Sequence, residues 1–226
     1  MREAHGLKRR VLREEVAEYI MAAMLRGELL PGDKVVESKL ARELNISQGA
    51  VREAIRDLIA QGILETEPYK GTRVRTLTRE QIADYYEVRT EIEGIAVRWA
   101  IGKYNGRHLD LGFLKRCVED MERCFLHNDT KSMRIHDMAF HEAIVRGACS
   151  DALLKAWNSL GNHYWMYVAI HYDQLASLLP EQIEKHKALF QAIATKDVQA
   201  YTQTIRGHYF DAETLFTPPT SRPLDH

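Results

Sequence analysis

ESKLARELNISQGAVREAIRDLIAQG, residues 37–62, reads as two short helices with a tight break at Asn45-Ile46. Leu40, Ala41 and Leu44 give the first helix an apolar face. Val51, Ala54, Ile55 and Leu58 do the same for the second, at the i, i+3, i+4, i+7 spacing of a packed helix. Ser47 stands where the second helix needs a cap, because its hydroxyl can accept an otherwise orphaned backbone N–H, and Gly62 stands where that helix must stop. The opposite face carries Gln48, Gly49, Arg52 and Arg56, polar or basic and close to the N-terminal end. One face locked into a domain and N-terminal turns left free to meet base edges is what a recognition helix requires. Two helices around a tight turn also occur in many small α domains, so the flanking residues must discriminate.

Downstream, Ile63–Glu67 and Thr72–Thr76 alternate as half-buried strands joined by a turn at Pro68-Tyr69-Lys70-Gly71. A hairpin directly behind a recognition helix is a wing. Its tip offers Lys70 to phosphate and Gly71 where backbone must approach the groove closely. Upstream, residues 1–10 are polar and basic and are expected to be poorly ordered. Val16, Ile20, Met24 and Leu25 then recur at helical spacing from Val11 to Arg26, and Gly27 ends that helix. Leu29–Asp33 makes a turn and Lys34–Val36 a short extended piece. Helix, helix, helix and wing make residues 1–77 a winged helix-turn-helix that binds double-stranded DNA. Its DNA-facing set is Ser47, Gln48, Gly49, Arg52, Arg56, Lys70 and Gly71. Residues 1–77 hold 14 Lys+Arg against 12 Asp+Glu, whereas the remainder holds 17 against 20, a split whose sign suits a DNA-facing N-terminal part.

Thr78-Arg79-Glu80-Gln81 is a capping box that opens a different region. Six helical segments are expected, at 79–102, 108–127, 130–147, 151–172, 181–195 and 198–216, each with one apolar side. They predict an all-α antiparallel bundle over 78–216, followed by a disordered tail at 217–226. The fold class is therefore mainly α, a winged helix-turn-helix followed by this bundle. Cys117, Cys124 and Cys149 are odd in number and lack CxxC pairing, which suits free thiols in a reducing cytoplasm. With no secretory h-region and no run of about 18 apolar residues, neither export nor a membrane span is expected.

The bundle's apolar stripes contain polar residues. Asp137 and His141 share one face four residues apart, His186 and His208 fall on the stripes of the last two helices, and Arg89 and Glu93 on that of the first. Burying such groups singly costs several kcal/mol, roughly, unless each is paired or coordinated. One solution is a divalent metal held by Asp137, His141, His186 and His208; the other is a set of histidines satisfied within the core. His163 also falls on an inward stripe, as a further ligand, an effector contact or a packed ring. Arg89 either grips a carboxylate or forms an internal i, i+4 pair with Glu93.

Residues 28–74, ELLPGDKVVESKLARELNISQGAVREAIRDLIAQGILETEPYKGTRV, resemble the winged helix-turn-helix of GntR-family transcription regulators. The Pro-Gly before the first extended piece, VREAIRDL and the wing glycine carry the likeness. The bundle resembles the all-helical FCD domain of the FadR-like branch, through Arg89-Thr-Glu-Ile-Glu93, Asp137-Met-Ala-Phe-His141, His186 and His208. The resemblance covers about residues 11–216. It implies a homodimer on a short palindromic operator and a metal, zinc or nickel or a similar ion, held by Asp137, His141, His186 and His208. It also implies a small carboxylate effector held by the metal and Arg89; His163, from its place on the inward stripe and not from the resemblance, is read as an effector contact. Where family members commonly read Ser-Arg-Thr-Pro-Val-Arg, this chain has Ser47-Gln48-Gly49-Ala50-Val51-Arg52, so the family's usual operator does not carry over; Gln48 favours adenine over guanine.

Two rivals remain at this level. His136-Asp137 is the HD dipeptide of all-α metal-dependent phosphohydrolases, but the two side chains point about 100° apart on a helix, so Asp137 pairs more naturally with His141. A plain metal sensor, with the ion itself as signal, is the other.

Overall fold

The computed structural model describes residues 2–160 and 179–208. His163 and the expected tail at 217–226 lie outside the described residues. Two compact units divide the chain, Met1–Leu77 and Thr78–His226.

In the first unit, α1 runs Arg2–Leu25, α2 Glu37–Glu43 and α3 Gln48–Ala60. The first helix therefore begins at Arg2 rather than Val11, which corrects the expectation for residues 1–10; Arg, Glu, Lys, Ala and Leu there are good helix formers with no proline among them. The break after α2 is made by Asn45 in the left-handed region, φ 51°, which lets Ile46 N–H reach back to the Ala41 carbonyl at 3.0 Å. Ser47 then caps α3, its hydroxyl accepting from Ala50 N–H at 3.3 Å. Gly62, φ 73°, closes the helix with Ile63 N–H on the Leu58 carbonyl.

The wing is β1 (Leu64–Glu67) antiparallel to β2 (Gly71–Val74), in the register Leu64↔Val74 and Glu67↔Gly71. Both strands differ slightly from the sequence expectation. Ile63 N–H is committed to the α3 stop, and Gly71, not Thr72, opens the second strand opposite Glu67. Lys34 of the extended piece bridges to Arg73. α1 and α2 both pack on α3, burying Ile20, Met24, Val51, Ala54, Ile55, Leu58, Ile63, Leu64 and Val74. This core holds α3 by its apolar side.

The second unit opens with α4 (Arg79–Gly102), whose capping box is complete: Thr78 accepts from Gln81 N–H, and Gln81 accepts from Thr78 N–H. Next come α5 (Leu111–Leu126), α6 (Thr130–Gly147), a helical run at 151–160, α7 (Leu179–Ala194) and α8 (Val198–Arg206). α5 starts later than the pattern suggested because Asp110 caps it through Phe113 N–H. α8 stops earlier: Gly207, a poor helix former, caps it, so His208 stands in the following turn rather than on the helix itself. Packing forms a closed circuit, α4 on α6, α6 on α5, α5 on α7, α7 on α8 and α8 on α4. Short connections at 127–129 and 195–197 make consecutive helices antiparallel neighbours. Whatever points inward from this circuit meets in one interior.

Candidate functional site

The free side of α3 presents Ser47, Gln48, Gly49, Arg52 and Arg56, all exposed. Lys70 and Gly71 are exposed on the wing, with Gly71 at φ 89°. The cations carry carboxylate partners: Arg52 with Glu37, Arg56 with Glu53 at 3.1 Å, and Lys70 with Glu67 at 2.8 Å. Tyr69, at the wing tip with φ 66°, is fully solvent-exposed. The sequence placed it only in the turn; strained backbone with a large exposed ring marks it as an additional surface feature of this face.

In the second unit, α6 supplies Asp137 and His141 one turn apart, α7 supplies His186, and the turn after α8 supplies His208. One donor atom from each lies within 4.8 Å of every other. His141 Nε2 is 3.0 Å from His208 Nε2 and 3.2 Å from Asp137 Oδ1, and His186 Nε2 is 2.8 Å from the same Oδ1. An ion with ligands at about 2.0–2.2 Å separates adjacent donors by about 2.8–3.6 Å, whether tetrahedral or octahedral. These three separations fall within that range, and the four residues could hold such an ion.

The far ring nitrogens strengthen the fit. His141 Nδ1 donates to Glu93 Oε2 at 2.7 Å, and His186 Nδ1 donates to the Gln182 carbonyl at 2.8 Å. With Nδ1–H so committed, each ring turns Nε2 toward the common centre; metal-binding histidines use this arrangement. Phe140 meets both rings edge-on and helps fix their planes. His141, His186 and His208 are buried, while Asp137 keeps some access to solvent.

Charge is distributed accordingly. Burial alone would depress His141, but Glu93 and Asp137 outweigh it and lift the ring to about 9. Burial would raise Glu93, yet His141 and Arg89 bring it to about 2. Asp137, only partly screened from solvent, is held well below the usual carboxylate range by His186 and His141. Burial, reinforced by the neighbouring His186 and His141, pushes His208 well down.

Glu93 does more than the sequence suggested. It accepts from Trp157 Nε1 at 2.8 Å and from Tyr201 OH at 3.4 Å, besides His141, and lies 3.3 Å from Arg89 Nε. Arg89 is fully buried, with its guanidinium 4.2 Å from the centre of the Trp157 ring. Helical periodicity put Glu93 on the inward face but could not name partners from three other parts of the chain. His136 faces elsewhere, 3.7 Å from Asp120 on α5, and is not part of the cluster.

Two family models match. One, described as bacterial regulatory proteins, gntR family, covers residues 12–74; the other, the FCD domain, covers residues 84–211. Over 202 residues the chain is 30% identical to the "Probable D-xylose utilization operon transcriptional repressor" of Paenarthrobacter nicotinovorans, covering 89% of this chain and 87% of that one. It is 26% identical over 202 residues to the gluconate operon transcriptional repressor of Bacillus licheniformis, covering 88% and 82%. Among solved structures, E. coli McbR/YncC shares the fold, with a TM-score of 0.77 at 22% identity over 90% of this chain and 93% of that one.

Proposed function

Since the chain belongs to the GntR family of bacterial regulatory proteins and carries an FCD domain, and is thus a DNA-binding transcription regulator, we propose that its second unit binds a divalent metal and a small carboxylate that together set operator affinity. The observation that carries this reading is the convergence of Asp137, His141, His186 and His208 at coordination spacing, with two rings anchored through Nδ1. Zinc or nickel suits three imidazoles and one carboxylate. An ion held by these four side chains would supply a fixed positive centre, and in a five- or six-coordinate shell it would accept a further oxygen donor.

A carboxylate suits such an ion. Oxygen anions bind hard or borderline divalent ions, and Arg89, buried in the same interior and paired with Glu93, is assigned a share of the same anion. The gluconate operon repressor among the relatives points to hydroxy-carboxylic acids as a class to try first. His163 keeps its assignment as an effector contact on the sequence argument alone. In the first unit, Ser47, Gln48, Gly49, Arg52, Arg56, Lys70 and Gly71 are assigned to DNA, the α3 residues to base edges and the wing to phosphate. The working form is a homodimer in the cytoplasm, acting on a two-fold operator. Among the described residues no helix is long and apolar enough to cross a membrane.

The test is elemental analysis of the native chain, joined to mass spectrometry of small molecules that co-purify with it. One divalent ion per chain and a carboxylate that releases the chain from DNA are expected. A chain that takes up no divalent ion, even after dialysis against zinc or nickel, removes the metal reading.

A further inference from the structure

We propose that Glu37 is a specificity-determining residue of the DNA face, holding Arg52 so that its end-on pair of N–H groups is left to read a base. The inference rests on the assignment of Arg52 to a base edge. Glu37 opens α2 and Arg52 lies in α3; packing of the two helices brings together residues 15 apart in sequence. Arg52 Nε lies 3.0 Å from Glu37 Oε2 and 3.3 Å from Oε1, and Nη2 lies 3.0 Å from Oε2. The carboxylate thus grips the guanidinium along the edge formed by Nε and Nη2.

A guanidinium has five N–H groups in a fixed fork. Gripping that edge leaves both hydrogens of Nη1 and the outer hydrogen of Nη2. Nη1 and Nη2 form the end-on pair that matches O6 and N7 of guanine in the major groove.

The other cations of this face are held differently. Arg56 reaches Glu53 through one nitrogen within the same helix, and Lys70 and Arg73 share Glu67 across the wing turn. Those single contacts between near neighbours exchange easily for phosphate. Arg52 alone of these four is gripped through two nitrogens from a separate helix. Fixing the fork before DNA arrives removes part of the ordering cost of a base contact. A carboxylate facing DNA also repels phosphate. Glu37 should therefore weaken binding to every sequence while sharpening the choice among sequences.

The experiment uses the full chain and duplexes selected from a randomised pool by the wild type. Affinities are then measured for the selected duplex, for versions with each guanine replaced in turn, and for a scrambled duplex. Glu37→Ala should bind the scrambled duplex a few-fold more tightly and lose discrimination, on the order of tenfold, at one guanine per half-site. Glu37→Gln, which keeps an amide oxygen for Arg52 Nε, should retain part of that discrimination. In an Arg52→Ala background the Glu37→Ala change should leave discrimination as it was. Equal loss on all duplexes, unchanged discrimination, or the same effect without Arg52 would each overturn the proposal. A wild-type chain that enriches no sequence removes the DNA-face assignment, and this inference with it.

Discussion

A histidine on an apolar helix face is tolerated when both ring nitrogens are satisfied, and His141 meets that condition with Glu93 on one side and Asp137 and His208 on the other. Replacing one member of the cluster leaves the others buried around a smaller donor set, so His186→Ala should lose the ion. It should also lower stability by about 1–3 kcal/mol, the usual cost of orphaning a buried polar group. Arg89→Ala should keep the ion and lose carboxylate-induced release of DNA. Bound metal, denaturant midpoints and DNA release measured on both variants check this; a histidine variant with a full metal complement would place the site elsewhere. In the metal-free chain His141 sits near 9 against an ordinary 6.5, so its contribution to stability is complete below 6.5 and lost as pH rises through 9. Glu93, near 2 against 4.5, contributes fully above 4.5 and loses that contribution as pH falls through 2. His141 would hold an ion through its Nε2 lone pair, in place of the proton there. Melting temperature should therefore fall between pH 6.5 and 9 with chelator present and hold steady when metal is loaded; equal slopes would contradict this. The convergence of the four side chains was legible in the sequence because each fell on the apolar side of its own helical segment, Asp137 and His141 on a shared face. The anchors were not, because Glu93's partners Trp157 and Tyr201 come from segments 64 and 108 residues away.

At the scale of elements, the caps and stops are what the sequence announced most clearly. Ser47 caps α3, Thr78 and Gln81 form the box on α4, and Asn45 and Gly62 take the positive φ that ends a helix. These are local devices, satisfied within a few residues, and so readable from a few residues. The extent of α1 and the stop of α8 were harder, since helix ends depend on a balance of propensity and packing that a periodic pattern does not fix. Thr78→Ala removes one half of the α4 box and should destabilise the second unit by about 1 kcal/mol, read as a shift in urea midpoint. An unchanged midpoint would mean that packing along α4, which buries Ile82, Ala96, Val97 and Ala100, alone sets its start. On the wing, Lys70 sits beside Gly71 at the turn of the two-stranded hairpin. Lys70→Ala should weaken binding evenly across sequences and reduce the slope of log affinity against log salt by about 1. A sequence-dependent loss would make Lys70 a base reader instead.

For the whole molecule, one winged unit covers too few base pairs to choose a site in a genome, and a two-fold operator answers a two-fold protein. Light scattering should therefore find a homodimer at micromolar concentration, with and without DNA; a monomer under both conditions would count against the operator geometry. Regulation then needs two states of that dimer with different affinity for DNA, and a carboxylate shifts between them only as far as it binds one better than the other. The coupling is reciprocal. If the effector lowers operator affinity by some factor, operator must lower effector affinity by the same factor, typically fivefold to a hundred-fold, roughly. This gives a test that needs no knowledge of how the units are arranged. Effector affinity is measured by calorimetry on the metal-loaded dimer alone and on the dimer saturated with its selected duplex, and operator affinity is measured with and without effector. The two ratios should agree. Effector that binds equally well to free and DNA-bound dimer, while still releasing DNA, would mean that it acts through a different chain or by stripping the metal. Repeating the measurement on Arg89→Ala separates those outcomes, because a stripped ion would be lost from both proteins and a true effector only fails to bind the variant.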